Sequence, residues 1–421
     1  MKKNTRSDNS MIAKIEGHGS LDIDFKAKSV KLNILEGERL FEEMLIGRSY
    51  EQTYWITPRI CGVCPIVHAL ASVKAVEEAF RIQISHSSQI MRELMMCSQM
   101  LQSHILHLVF LSLPDYLGVD RGTEIYQKHP KYFNMALNIK KTADFIAKAI
   151  GGRPVHPVTI TAGGFFKFPK MAVIREIKIQ LQGIIDDAEG LVNLALGLKY
   201  PALYNPCEYL SAKPKLADEF PIYSFSKISS SRNSNFEIKN YIKEIKELVV
   251  PYSTAKFAQH FEQGFMVGSL ARVLLFGDRL TPLASQYLNK INLDTLRFNP
   301  FYNNFSQALE VLHYTEKAIN ICDFALKNGL EKPMVGFKTR AGRGVGVMEA
   351  PRGTLYHDYT FDSRGNATDI NIITPTVQNL AHIEEDANFI VEHSDANESE
   401  IYHQIEMLIR AYDPCITCSA H

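Results

Sequence analysis

Two Cys-x-x-Cys pairs stand near opposite ends of the chain, Cys61 and Cys64 in RICGVCPIVH and Cys415 and Cys418 in DPCITCSAH. One such pair alone is a redox dithiol or half of a zinc knuckle. If the ends of the chain fold together, however, the two pairs bring four thiolates to one centre and make a site for a soft metal. A structural zinc staple draws its ligands from a short knuckle, whereas almost the whole chain separates these pairs. Each motif also ends in a histidine, His68 or His421, and has a charged neighbour, Arg59 or Asp413. Such groups can orient and balance a demanding metal centre. Cys97, Cys207 and Cys322 stand alone and are expected to be buried thiols without catalytic work.

The elements around these motifs follow from composition and periodicity. With 421 residues, 46% of them hydrophobic, the chain can bury a large core. Its 46 basic and 46 acidic residues cancel, which leaves no electrostatic reason to expect a nucleic acid or an anionic membrane as main partner. The beginning, MKKNTRSDNSMIAKIEG, has no apolar signal core, and no run reaches the roughly 20 apolar residues of a spanning helix, so a cytoplasmic location without a direct membrane span is expected. An odd count of seven cysteines without a short-spaced framework fits a reducing compartment.

The spacing predicts one large domain over 1–421, mainly α with small β-rich attachments around a helical bundle. Residues 1–10 are polar and expected to fray, and 12–34 alternates as a β-hairpin-like region turning near Ala27-Lys28. A mainly helical core spans 66–335, with helices from Pro65 onward and over 87–111, 132–150, 172–197, 237–251 and 305–328, and an irregular excursion at 198–235. His104 and His107 fall in the second of these helices and read as core imidazoles satisfied by hydrogen bonds. The 336–382 region is rich in Gly and Arg and contains strands, and 383–421 supplies a helix over 383–410 and the metal-binding tail. No GxGxxG follows a plausible strand, and RAGRGVG has the wrong spacing for a phosphate loop.

The pattern RxCGxCxxxH with a terminal DPCxxCxxH resembles the two signatures of the catalytic large subunit of nickel-iron hydrogenases. The likeness runs over essentially the whole chain, taking in Glu16-Gly17-His18, Phe41-Glu42 with Gly47-Arg48, Gly151-Gly152-Arg153, Ala350-Pro351-Arg352-Gly353 and Thr374-Pro375-Thr376. It implies that Cys61 and Cys415 bind nickel terminally, while Cys64 and Cys418 bridge to an iron carrying two cyanides and one carbon monoxide. By the same resemblance, Arg352 and Thr376 donate to the cyanides beside Pro351, Asp413 pairs with Arg352, and His68 and His18 orient thiolates and backbone. Cys415 takes the proton from split dihydrogen and Glu16 relays it. Glu42, His421 and the carbonyl of Ile372 would hold magnesium. The implied activity is reversible heterolytic oxidation of dihydrogen.

The resemblance also implies an iron–sulfur small subunit that receives the electrons, diaphorase-like subunits reducing NAD or NADP, and maturation proteins. Among these is a protease that cuts after the terminal histidine, so the chain is expected to be the processed form. One departure is visible: many membrane-bound and periplasmic relatives carry Asp-His where this chain has Ser103-His104. That points to the cytoplasmic, cofactor-coupled branch. Two other functions compete, an H₂-sensing regulatory protein with slow turnover and a respiratory quinone-reductase relative whose centre has decayed. Retention of all four cysteines argues against the latter.

Overall fold

The computed structural model describes residues 10–421. Its axis is the Pro65–Phe80 helix, which begins directly after Cys64 with proline in its first turn, where a missing N–H costs nothing. This helix lies on the antiparallel sheet of strands Gly342–Ala350, Gly353–Phe361 and Ala367–Ile373. The contact is made by absent side chains. Cβ atoms added at Gly342, Gly344 and Gly346 would sit 2.5, 2.1 and 1.9 Å from the carbonyl oxygens of Ala79, Ala75 and Ala71. Alternate glycines put one strand face against one alanine ridge of the helix. The Gly-rich stretch therefore serves helix–sheet packing.

The first two strands are joined by a two-residue hairpin, with Ala350 opposite Gly353, so Pro351 and Arg352 form its tip. Gly353 has φ 133°, and a Cβ there would lie 2.3 Å from Val267. Only glycine fits that turn without strain.

On the helical side, His86–Ile105 packs between Pro130–Gly151 and Asn303–Asn328. It continues through a π-helical segment, Leu106–Ser112, into Leu113–Leu117. This 86–117 helix is apolar and long enough to cross a membrane, yet 83% of its most apolar window is buried inside the protein, as expected for a core helix. The N-terminal sheet pairs Ser10–Met11, Gly19–Asp24 and Ser29–Ile34, with the expected turn at 25–28. Its outer strand is closed by side chains of Pro375–His393: Asn388 accepts from Val30 N at 2.7 Å and Glu384 from Leu32 N at 3.0 Å. The expected fraying of 1–10 lies outside the described residues, apart from Ser10, which pairs with Leu21.

Several expectations change. The 172–197 segment is two helices, Met171–Gln182 and Ile185–Leu196, parted at Gly183. The 237–251 segment has the Lys/Glu content of a helix but gives only short turns over 238–244. Strand Ile245–Leu248 follows and pairs with Phe257–His260, a tertiary partner overriding local propensity. The 383–410 segment is the end of Pro375–His393 plus a separate helix, Glu398–Ala411, started by a capping box between Asn397 and Glu400. The 198–235 excursion contains strands Glu208–Pro214 and Phe225–Ser230; the first is buried almost throughout and so lacks alternation. Short helices over 269–297 were not expected either.

A methyl at Gly346 has to displace backbone. Gly346→Ala is expected to cost about 1–3 kcal/mol, the range for overpacking a well-filled core. Thermal denaturation of the assembled protein reads this as a lowered midpoint, and an unchanged midpoint would show that the helix and sheet can separate freely.

Candidate metal centre

The two ends of the chain meet in a short parallel bridge in which Ile416 N donates to the carbonyl of Glu16 at 2.9 Å. Gly17, with φ 87°, makes that approach possible, since a Cβ would lie 2.7 Å from Ile416 Cβ. Arg39 ties the loops together from outside. One guanidinium nitrogen donates to Ile60 O at 2.8 Å and to Thr417 O, joining the residue before Cys61 to the residue before Cys418.

This closure gathers all four cysteines. Their sulfurs lie within 4.8 Å of one another, with Cys61–Cys415 and Cys64–Cys418 both at 3.3 Å and Cys415–Cys418 at 3.0 Å. All four are buried free thiols. Cys61 Sγ accepts from Val63 N at 3.2 Å and Cys64 N at 3.4 Å, as a loop built for a thiolate would allow. Hydrogen bonding from Cys415, then from Cys418 and Cys64, holds the Cys61 thiol well below its ordinary range. Burial pushes Cys415 and Cys418 well above it. At Cys64, hydrogen bonds from Cys415 and Cys418 pull down, but Cys61 and burial outweigh them and the thiol is raised. Four close sulfurs in so dry a place need a cation among them to be thiolates together.

The expected surrounding groups are present. Arg352, at the hairpin tip, donates Nε to Asp413 O at 2.8 Å and Nη2 to Asp413 Oδ1 at 2.9 Å. Asp413 presents its main-chain oxygen and Oδ1 to one guanidinium with φ 53°, a left-handed conformation that aspartate tolerates. Burial opposes the charge on Arg352, but Asp413 and the cysteines more than offset it. The remaining nitrogen, Nη1, is buried with no partner. Beside it lies a cavity reaching Cys64, Cys415 and Cys418, walled by Val67, Ala350, Pro351, Leu355 and Pro375. Thr376 also lines it. Its hydroxyl accepts from Cys415 N at 2.9 Å and keeps its own proton to donate. The space thus has apolar walls and two fixed donors, which suits small ligands carrying negative charge on their outer atoms.

Glu16 is half-buried and accepts from Cys415 Sγ at 2.9 Å, Thr417 N at 3.1 Å and Thr417 Oγ1 at 2.6 Å. His68 sits by Cys418, with Nε2 3.8 Å from Cys418 Sγ and Nδ1 3.1 Å from His357 Nε2. Burial lowers its pKa to about 3, so the ring is neutral and can donate to only one of these neighbours. With Cys418 held as a thiolate by a metal, which cannot donate, the proton would sit on Nε2 and Nδ1 would accept from His357.

Glu42, Ile372 and His421 also converge. Glu42 Oε1 accepts from Ile372 N at 2.6 Å, and His421 places Nδ1 2.7 Å from Cys418 O and Nε2 2.9 Å from Ile372 O. A ring carrying one proton can donate to only one of these two carbonyls, and the nitrogen left facing the other is a contact that a cation between them would satisfy.

Two expected neighbours lie elsewhere. Arg59 is exposed and donates to Trp55 O. His18 is exposed and pairs with Glu36 at 2.7 Å, meeting no cysteine. Cys97 and Cys322 are buried and Cys207 half-buried, all outside the four-sulfur group. His104 and His107 are core imidazoles bonded to Glu310 and Gln307; both nitrogens of His107 have partners as expected, whereas His104 Nδ1 is buried without one. Sequence reasoning missed Arg39, Thr417, Arg272 and the polar stripe Asn303, Gln307 and Glu310. The stripe had a signal, since its positions i, i+4 and i+7 put three polar groups on one face of a buried helix.

Known proteins agree with this geometry. The family described as nickel-dependent hydrogenase matches residues 39–131 and 234–421. The alpha chain of sulfhydrogenase 1 from Pyrococcus furiosus is 36% identical over 97% of this chain and 96% of its own length. A component of the F420-non-reducing hydrogenase of Methanothermobacter marburgensis is 30% identical over 97% of this chain and 93% of its own. The crystal structure of an NAD⁺-reducing [NiFe]-hydrogenase in the H₂-reduced state superposes with a TM-score of 0.87 at 25% identity, covering 98% of both chains. With sequence and fold matched over nearly its whole length, the chain belongs to the nickel-dependent hydrogenase family as a large catalytic subunit.

Proposed function

We propose that the four cysteines hold a nickel–iron centre, Cys61 and Cys415 as terminal nickel ligands and Cys64 and Cys418 as bridges to an iron bearing two cyanides and one carbon monoxide. The observation that carries this reading is the four-sulfur group with a free Arg352 donor beside it and Glu16 hydrogen-bonded to Cys415. When bound, the group supplies a soft bimetallic Lewis acid across which dihydrogen is polarised and split.

The chain's own residues do the rest. Four thiolates and two cyanides against two divalent ions leave an excess of about two negative charges, and Arg352, fixed by Asp413, places a permanent cation against it. Its Nη1 and the Thr376 hydroxyl are placed to orient the diatomic ligands, and the apolar walls keep water from competing for them. Cys415 Sγ takes the proton and passes it to Glu16 Oε2, 2.9 Å away, and the half-buried Glu16 and Thr417 lead it toward solvent. His68 holds Cys418 as a neutral donor.

Glu42, His421 and the Ile372 carbonyl take a magnesium ion, which anchors the tail that carries Cys415 and Cys418. The electrons leave through an iron–sulfur small subunit, since among the described residues the remaining cysteines form no cluster site. The NAD⁺-reducing likeness supports diaphorase-like subunits reducing NAD or NADP as the next carrier, in the cytoplasm.

Infrared spectroscopy of the purified complex with nickel and iron quantification tests the centre. One carbonyl and two cyanide bands that shift under dihydrogen are expected, together with sustained turnover; fully metallated protein lacking the bands would sink the proposal, and bands with only very slow turnover would favour a sensor. Glu16→Gln keeps the hydrogen-bonding shape but not the base. It is expected to retain metals and bands while hydrogen–deuterium exchange falls by about 10²–10⁴, and an undiminished exchange rate would remove Glu16 from the proton path. Strong chelation of magnesium should free the tail, seen as faster proteolysis near His421 and loss of nickel; a tail equally protected with and without chelator would argue that no cation sits there.

A further inference from the structure

Asp413 is the hinge between Arg352 and the helical core. Its main-chain O and Oδ1 are taken by Arg352, and its Oδ2 accepts from Gln307 Nε2 at 2.9 Å. Gln307 is fully buried on the Asn303–Asn328 helix, and its Oε1 accepts from His107 Nδ1 at 2.5 Å. His107 Nε2 lies 2.6 Å from the carbonyl of Arg410. Arg410 is itself anchored, with Nε 2.5 Å from Asp115 Oδ2 and Nη1 3.1 Å from Ala13 O.

The direction of this chain follows from chemistry. A carboxylate can only accept, so the amide NH₂ of Gln307 must face Asp413 and its carbonyl must face His107. The flipped amide would set two oxygens about 2.9 Å apart with no proton between them. Ser103, on the helix that continues into His107's turn, contributes nothing to this chain of bonds: its hydroxyl is buried without a partner.

We propose that Gln307 is a positioning residue for hydrogen activation. It fixes the plane of the Asp413 carboxylate and, through it, the direction in which Arg352 Nη1 points, with His107 locking the amide from behind. The proposal rests on the reading of the metal centre given above and adds to it the residue that aims the arginine. A buried amide with both ends engaged has a single orientation, so the aim is set before any ligand binds.

Gln307→Met removes the amide at similar length. In the assembled holoenzyme, the variant is expected to keep its nickel and its carbonyl and cyanide bands, but with the cyanide bands shifted. Turnover should fall about tenfold, equivalent to about 1.4 kcal/mol, with little change in KM for dihydrogen. In an Asp413→Asn background the same substitution should cost less than about twofold, because Gln307 acts through Asp413. Unshifted bands with full turnover, or an equal loss in both backgrounds, would overturn the proposal. Should Gln307→Met fail to assemble, Gln307→Glu keeps the shape and presents an acceptor to Asp413; unshifted bands in that variant overturn the proposal equally. Wild-type enzyme without the bands would bring down the reading of the centre and this inference together, whereas insensitive variants of a competent wild type bring down this inference alone.

Discussion

Everything in this protein depends on holding four sulfurs within 4.8 Å in a place with almost no water. Thiolates at that spacing repel, and burial magnifies the repulsion. A metal ion's charge would answer part of the problem, and the chain answers the rest by bringing hydrogen-bond donors and a fixed positive charge toward the sulfurs from independent directions. Backbone N–H groups come from the Cys61 loop, a guanidinium from the hairpin tip and a neutral imidazole from the Pro65–Phe80 helix. The loop and the helix adjoin in sequence, but the guanidinium comes from the far half of the chain and two of the sulfurs from its end. The fold is thus a device for making distant segments converge, and the Glu16–Cys415 bridge with the Arg39 clasp is where the convergence is fastened.

The hairpin that presents Arg352 is held by a second buried charge system. Arg272 donates to Ala350 O at 2.8 Å and Pro351 O at 3.1 Å while pairing with Glu310 and Glu349, and all three are fully buried. Burial would raise Glu310, but Arg272 overrides it and holds its pKa at about 2. Buried pairs of this kind add little net stability compared with apolar packing. Here the return is geometric, because guanidinium bonds to two successive carbonyls leave the turn no alternative path. Glu310 and Gln307 lie one helical turn apart on the same helix. One helix face therefore fixes Arg352 from two sides, through its backbone by Arg272 and through its side chain by Asp413.

How much of this was legible in the sequence depended on whether a residue's type already implied its task. The two Cys-x-x-Cys pairs were legible from chemistry as four thiolates for a soft metal once the chain ends are brought together, while the metals themselves were legible only through resemblance. Glu16, Arg352, Glu42 and His421 were legible only through resemblance. Taken singly, an N-terminal glutamate or a loop arginine reads as surface charge, and in fact Glu16 and His421 are half-buried. Arg39 was not legible at all, and Gln307 only as one of three polar groups on a buried helix face, because an arginine in a loop and an amide in a helix acquire their task only from what the tertiary fold places opposite them. The same limit explains the misread 237–251 segment, where charge-rich local sequence favoured a helix and strand Phe257–His260 decided otherwise. The central bundle was read correctly because its long helices carry their pattern within themselves.

The distance between Arg352 and the cysteines has its origin in residues with no chemistry. Cys64 immediately precedes the Pro65–Phe80 helix, and Arg352 follows the strand Gly342–Ala350 by two residues. The relative position of these two groups is consequently set by how closely that helix and that strand approach. Gly342, Gly344 and Gly346 against Ala79, Ala75 and Ala71 let the backbones come together at the limit of contact, leaving no room for a methyl. A larger residue would push the strand outward. A rigid strand and a rigid helix carry that shift to their ends with little loss. The glycines of RAGRGVG, whose spacing is wrong for a phosphate loop, therefore work as a spacer, and they fix the reach of Arg352 from along the helix and not from within the site.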